Sequence, residues 1–164
     1  MKTMVYLSLG SNIGDREANL REAIQRLTGL GAVTAVSSLY ETEPVEVTSQ
    51  QAWFLNCAVK METVLEAGEF LRQMLAIEQA MGRIRTEPKG PRTIDIDIIF
   101  FGDAVIDTPA LTVPHPAVQQ RRFVLEPLAE IAPDAVHPVL KRTVRELLSG
   151  LPANTGAVRK FQRN

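Results

Sequence analysis

One cysteine, Cys57, is the only thiol in this chain of 164 residues. A single thiol excludes an intramolecular disulfide and fits a reducing compartment. Charge of neither sign is in surplus: 18 Lys and Arg face 19 Asp and Glu, for a net charge of −1. No global field draws the protein to nucleic acid, so any anion site must be local. Long apolar runs are missing too. The stretch after Lys2 ends at Ser8 and Gly10, too short for a signal peptide, and no segment approaches the ~18 apolar residues of a membrane span. The expected location is the cytoplasm, with no membrane or nucleic-acid partner. Internal repeats, low-complexity tracts and interdomain linkers are likewise lacking. The 45% of hydrophobic residues suits one folded domain over 1–164 with its own core.

The most informative stretch is Gly90 to Phe101, GPRTIDIDIIFF. From Ile94 it alternates with period two, the signature of a strand. Ile94, Ile96, Ile98 and Phe100 are expected on a buried face; Asp95 and Asp97 are expected on the other, with Ile99 and Phe101 beyond them. Residues two apart on a strand lie about 6.5–7 Å apart, so the carboxylates repel each other and resist desolvation. A hard divalent cation reverses that local energetics. An edge strand with its second face in water accounts for the same pattern. The preceding loop, RIRTEPKGPR, sets Arg83, Arg85, Lys89 and Arg92 against Glu87 alone. A cationic loop running into a carboxylate pair is the layout expected for metal-bound polyphosphate, although a basic loop by itself is usually only solvated.

Thr3 to Leu9 reads as the first strand and Gly10 to Asp15 as a tight turn. That turn lacks the Lys-Ser/Thr of a Walker loop and the dinucleotide glycine fingerprint, so its glycines read as turn chemistry. Asp15 is the expected N-cap of a helix over Arg16 to Leu30, with a stripe of Leu20, Ile24 and Leu27. Ala32 to Thr42 and Trp53 to Thr63 read as strands joined by a loop, Glu43 to Ala52. In the second, Trp53, Leu55, Cys57, Val59 and Met61 form the apolar face, which makes Cys57 a small buried residue rather than a nucleophile. Phe54 and Asn56 stand together on the less buried face, a ring beside a bidentate amide that suits a flat heterocycle and equally suits plain packing. Glu66 to Met81 is a helix with a core stripe of Phe70, Met74, Ile77 and Met81, stopped at Gly82. Glu78 falls one step off that stripe, where a surface glutamate is the cheaper reading. Gly102-Asp103 signals a hairpin to a short strand, Ala104 to Ile106, followed by the extended LTVPHP. Ala117 to Ile131 is mostly helical and broken around Pro127. Thr143 to Glu146 is a capping box opening a short helix to Leu148, closed by Gly150. The tail after about residue 151, with Arg159, Lys160 and Arg163, is expected to be loosely held. Interleaved helices and strands with several short connections argue for α+β with a mainly antiparallel sheet.

GPRTIDIDIIFFGD, with YLSLGSNIGD, SSLYETEPV, FLNCAV, LTVPHP and RRFVLEPLAEIAPD in order around it, resembles the 6-hydroxymethyl-7,8-dihydropterin pyrophosphokinase family. The resemblance implies a ferredoxin-like α/β sandwich whose site lies on the sheet face carrying the two aspartates. It implies transfer of the β,γ-diphosphate of ATP to the pterin's hydroxymethyl oxygen for folate biosynthesis, with AMP released. Two Mg²⁺ ions would be held by Asp95 and Asp97. Pterin contacts are implied for Thr42, Glu43, Val45, Phe54, Asn56 and Phe123, and nucleotide contacts for Glu78, Arg85, Arg92, Ile98, Thr112, His115 and Arg121. Arg83, Arg92 and Asp97 take the catalytic roles. Three residues depart from the family pattern: Lys89 in place of an aromatic, Glu46 in place of a glycine, and Ala110 where some relatives carry arginine. A nucleotide-binding module without turnover and a metal-dependent phosphohydrolase are the rival readings. Oligomeric state stays open, with a monomer compatible.

Overall fold

A computed structural model describes residues 2–42, 53–82, 93–152 and 158–161. Strand β1 (Thr3–Ser11) lies inside an antiparallel sheet, between β4 (Phe54–Thr63) and β5 (Asp95–Phe101). The other edge of β4 carries β2 (Ala32–Val36) and β3 (Tyr40–Thr42), and β8 (Val158–Lys160) pairs with β3. Helices α1 (Arg16–Leu27) and α2 (Ala67–Ala80) cover one face; α3 (Arg122–Ile131) and α4 (Val144–Ser149) cover the other. The architecture is the expected α+β one, with every pairing among the described residues antiparallel.

The first face buries Val5, Leu7 and Leu9 of β1 and Leu55, Cys57, Val59 and Met61 of β4 against Leu20, Leu27, Phe70 and Met74. The spacing that predicts α1 and α2 is what fills this layer, at about 1.5–3 kcal/mol for each large side chain fully removed from water. Asp15 caps α1 by accepting the Ala18 N–H at 3.1 Å, and Gly82, at φ +86°, ends the turn after α2. The second face holds Tyr6, Ala58, Ile99 and Phe100 under Val124, Leu125 and Leu128. Asn56 and Ala58 are therefore buried, on the face expected to be the less covered one.

Several expectations need correction. Ala32 to Thr42 is not one strand, because it breaks at Ser37–Leu39. Ser37 bridges the break: its N–H donates to the Ala58 carbonyl at 2.9 Å and its hydroxyl accepts the Ala58 N–H at 2.8 Å. In β5 the alternation slips by one residue at Ile99, a β-bulge opposite Tyr6 and Leu7. Phe100 thus turns to the second face, edge-on to Tyr6, while Phe101 turns to the first, against Phe70. Ile94, Ile96 and Ile98 hold the expected face.

Gly102, at φ +58°, does make a turn, but among the described residues no strand returns along β5. β6 (Ile106–Asp107) pairs instead with β7 (Thr112–Val113) in a separate ribbon, ahead of a cis Val113–Pro114 peptide bond. Helix α3 runs through Pro127. Burial of Val124, Leu125 and Leu128 outweighs the one N–H bond that proline removes, at about 1.5–3 kcal/mol per side chain against about 3 kcal/mol. The capping box of Thr143 and Glu146 is present, with Gly150 as the C-cap of α4. Val158–Lys160, in the tail expected to be loose, is instead a paired strand. No helix among the described residues is long and apolar enough to cross a membrane.

Candidate active site

Cross-strand register assembles the site. Asp95 on β5 stands opposite Gly10 on β1, Gly10 opposite Asn56 on β4, and Asn56 opposite Tyr40 on β3. Directly paired residues share a face, so this row crosses the second face of the sheet. Asp97, Ser8 and Ala58 form the parallel row one step along. At about 4.8 Å per strand, Asp95 and Asn56 stand about 10 Å apart with only the bare backbone of Gly10 between them.

Gly10 is the residue that sequence reasoning missed, since it lies inside β1 and takes no part in a turn. A Cβ built there would come within 2.6 Å of Asn56 Nδ2 and 3.3 Å of Phe54 Cδ1. The available signal was a glycine closing an otherwise apolar strand, which marks a close approach. Gly14, at φ +69°, is the glycine that does serve the turn. Asn56 lies over Gly10, its Nδ2 donating to the Leu9 carbonyl at 3.4 Å and its Oδ1 accepting from the Thr42 hydroxyl. Phe54, Asn56 and Thr42 are thus brought together. Phe123 packs at the margin of the second core, on the same side of the sheet. Glu43 and Val45 lie outside the described residues, as does Glu46.

Along the outer edge of β5 runs a cleft of about 670 Å³, walled by α2 on one side and residues 110–116 on the other. Glu78, Asp97, Ile98, Thr112 and His115 all line it. Glu78 is no surface residue: at 3% exposure it accepts the Ile96 N–H at 2.7 Å, holding the strand edge to α2. Ala110 lines the cleft as well. Asp95 and Asp97 are half-buried. Among the described residues no cluster of three or more His, Cys, Asp or Glu is placed to hold an ion, which leaves the aspartate pair as the candidate.

His115 is tied to the bulge, its backbone N–H donating to the Ile99 carbonyl at 3.1 Å. Burial, helped by the nearby Arg121 charge and opposed by Asp95, brings its imidazole down to about 4. The ring is neutral near pH 7, and its Nδ1 accepts the Ala117 N–H at 3.2 Å. The remaining hydrogen therefore belongs on Nε2, a neutral donor. Arg121 stacks on Phe123, its guanidinium carbon 5.5 Å from the ring centre. Arg83, Arg85 and Arg92 lie outside the described residues, with Glu87 and Lys89.

The other His-Pro pair, His137-Pro138, is structural. His137 is buried edge-on to Phe100, and its Nδ1 accepts the N–H groups of Val139 and Leu140. A second network unseen in the sequence ties α3 to the sheet. Glu130 accepts the Tyr40 hydroxyl at 2.6 Å and both the N–H and hydroxyl of Ser38, at 2.9 and 3.0 Å.

Residues 6–133 match the model of the 7,8-dihydro-6-hydroxymethylpterin-pyrophosphokinase (HPPK) family. The 2-amino-4-hydroxy-6-hydroxymethyldihydropteridine pyrophosphokinase of Bacillus subtilis is 50% identical over 133 residues, 80% of this chain and 79% of that protein. The folic acid synthesis protein fol1 of Schizosaccharomyces pombe is 43% identical over 152 residues, which are 92% of this chain and 21% of that protein. The chain thus spans about a fifth of the length of that relative. A crystal structure of wild-type Plasmodium falciparum HPPK-DHPS with pteroate superposes with a TM-score of 0.73 at 19% identity, over 91% of this chain and 42% of that one.

Proposed function

Because this chain belongs to the 7,8-dihydro-6-hydroxymethylpterin-pyrophosphokinase family, we propose that it is an ATP-dependent diphosphokinase of folate biosynthesis. Diphosphate passes from ATP to the hydroxymethyl group of 6-hydroxymethyl-7,8-dihydropterin, in a Mg²⁺-dependent reaction of the cytoplasm. The observation that carries this reading is the row of Asp95, Gly10 and Asn56 across one sheet face, with a cleft opening at its Asp95 end. A flat bicyclic ring with its amide edge on Asn56 has the length to bring a substituent on its far side next to the aspartates. A triphosphate in the cleft reaches the same place from the other direction.

Asp95 and Asp97 fit a magnesium site. They are two hard oxygen donors on one strand face, and Mg²⁺ is ordinarily held by one or two carboxylates together with substrate phosphates. Two ions are expected with ATP, and once bound there they neutralise phosphate charge and fix its geometry. The remaining work falls to the chain. Asn56, oriented by Thr42 and Leu9, presents its amide to the pterin edge, with Phe54 and Phe123 as ring surfaces and Glu43 and Val45 completing the pocket. Glu78 fixes the β5 edge beneath the nucleotide, beside Ile98 and Thr112. His115 donates Nε2–H to a phosphate oxygen, and Arg121 and Arg85 add positive charge. Arg83 and Arg92 neutralise the charge that grows during transfer.

In the transfer itself the substrate hydroxyl oxygen bonds to the β-phosphorus and the bond from that phosphorus to the α,β-bridging oxygen breaks. AMP departs, and the hydroxyl proton leaves by way of Asp97 or water. Product analysis tests this. AMP should appear only when hydroxymethyl-dihydropterin is present. ADP in stoichiometric amount, or phosphate released without pterin, overturns the proposal.

A further inference from the structure

Strand β8 reaches the acceptor side of the site, and one of its residues grips the end of β3 and the start of β4. Thr42 ends β3, and Trp53 immediately precedes β4. Arg159 of β8 stands opposite Glu41 in the register, and its Nη2 lies 3.3 Å from Glu41 Oε1. Its guanidinium carbon lies 4.7 Å from the centre of the Trp53 ring. From the other side Arg16 of α1 donates from Nη2 to Glu41 Oε2 at 3.2 Å and from Nη1 to the Trp53 carbonyl at 2.9 Å. Phe161 seals the group, under the Arg16 guanidinium at 5.8 Å and with its N–H on the Leu39 carbonyl at 2.8 Å. Glu41 thus holds one arginine on each oxygen, and both arginines also hold Trp53.

We propose that Arg159 is a positioning residue for the acceptor, clamping Trp53 to Glu41 and thereby fixing the neighbouring Thr42, Phe54 and Asn56. The inference rests on the pterin reading of those three residues. Arg159 touches none of them. Its effect runs through Thr42 and Phe54, which are next in sequence to its two partners and face each other in the register. The nucleotide cleft lies at the opposite edge of the sheet, beyond β4 and β1, so the clamp acts on one substrate and spares the other.

Arg159→Ala should raise KM for the pterin about three- to tenfold, the scale of one cation–π contact with one exposed ion pair. KM for ATP and kcat should change less than about twofold, since neither depends on acceptor binding alone. Arg159→Lys keeps the charge and loses the planar stack, so it should recover only part of the loss. Trp53 is the only tryptophan. Its emission should shift to the red and its quenching by acrylamide should rise in Arg159→Ala, with or without substrate. An unchanged pterin KM, or parallel changes in both KM values and kcat, overturns the clamp. Should the parent chain turn over no pterin, the functional reading fails by itself. Unchanged Trp53 emission and quenching in Arg159→Ala would then still overturn the clamp.

Discussion

Replacing Gly10 by alanine puts the assembly of the acceptor site to a quantitative test. The new Cβ would sit 2.6 Å from Asn56 Nδ2, so the amide must retreat by about 1 Å to reach the ~3.5 Å of ordinary contact. Its bond to the Leu9 carbonyl, already 3.4 Å long, does not survive that retreat. Overpacking of this kind costs about 1–3 kcal/mol of stability. It is offset by about 0.4–1 kcal/mol, because alanine restricts the unfolded chain and Gly10 is not in the left-handed region that would strain it. On the proposed reading, displacing the amide should also spoil a paired contact with the pterin, worth about ten- to a hundredfold in affinity. Mg²⁺ with an ATP analogue should bind as in the parent, its cleft being at the β5 edge. The decisive arm is Asn56→Ala. Without the amide, only the mild 3.3 Å approach to Phe54 remains, and Gly10→Ala should become neutral or slightly stabilising. Denaturant melts of the four proteins read the coupling, and calorimetric titration reads pterin affinity in the parent and Gly10→Ala. An equal cost in both backgrounds would refute the steric argument, as would unaltered pterin affinity in Gly10→Ala.

On the proposed metal reading, Asp97→Asn should remove the melting-temperature rise that Mg²⁺ with an ATP analogue gives the parent. A rise as large as the parent's would argue against Asp97 as a metal ligand. His115 stays neutral in the fold down to about 4, whereas the unfolded chain takes up its proton near the ordinary value of about 6.5. Its contribution to stability is therefore complete above about pH 6.5 and lost as pH falls toward 4, by roughly 1–3 kcal/mol after allowance for partial exposure. His115→Gln should flatten melting temperature against pH in that window, leaving the smaller slope from His137, whose imidazole burial also lowers. Burial pushes the Cys57 thiol up to about 12, so a thiol reagent at pH 8 should label it only at the rate of unfolding; rapid labelling of the native protein would contradict its place in the core.

What could be read from the sequence was whatever obeys a local period. The stripes of α1 and α2, the Asp15 cap, the Thr143 box and the alternation of Asp95 and Asp97 each need only a few neighbouring residues. What could not be read was set by partners far along the chain. The bulge at Ile99 arises from pairing with β1, and it alone exchanges the roles of Phe100 and Phe101. Glu78 reads as surface until β5 brings the Ile96 N–H to it across 18 residues of sequence. Gly10 reads as turn until β4 lays Asn56 over it. β8 carries too little apolar pattern to announce a strand, because two of its three residues face water and its place depends on the free edge of β3. The site residues divide the same way. Those resting on a motif, such as Asp97 and His115, are legible singly. The distance of Asp95 from Asn56 is a property of the register alone, and that distance is what the proposed reaction requires: a metal-side carboxylate and an acceptor amide two strands apart, with only the backbone of Gly10 between them.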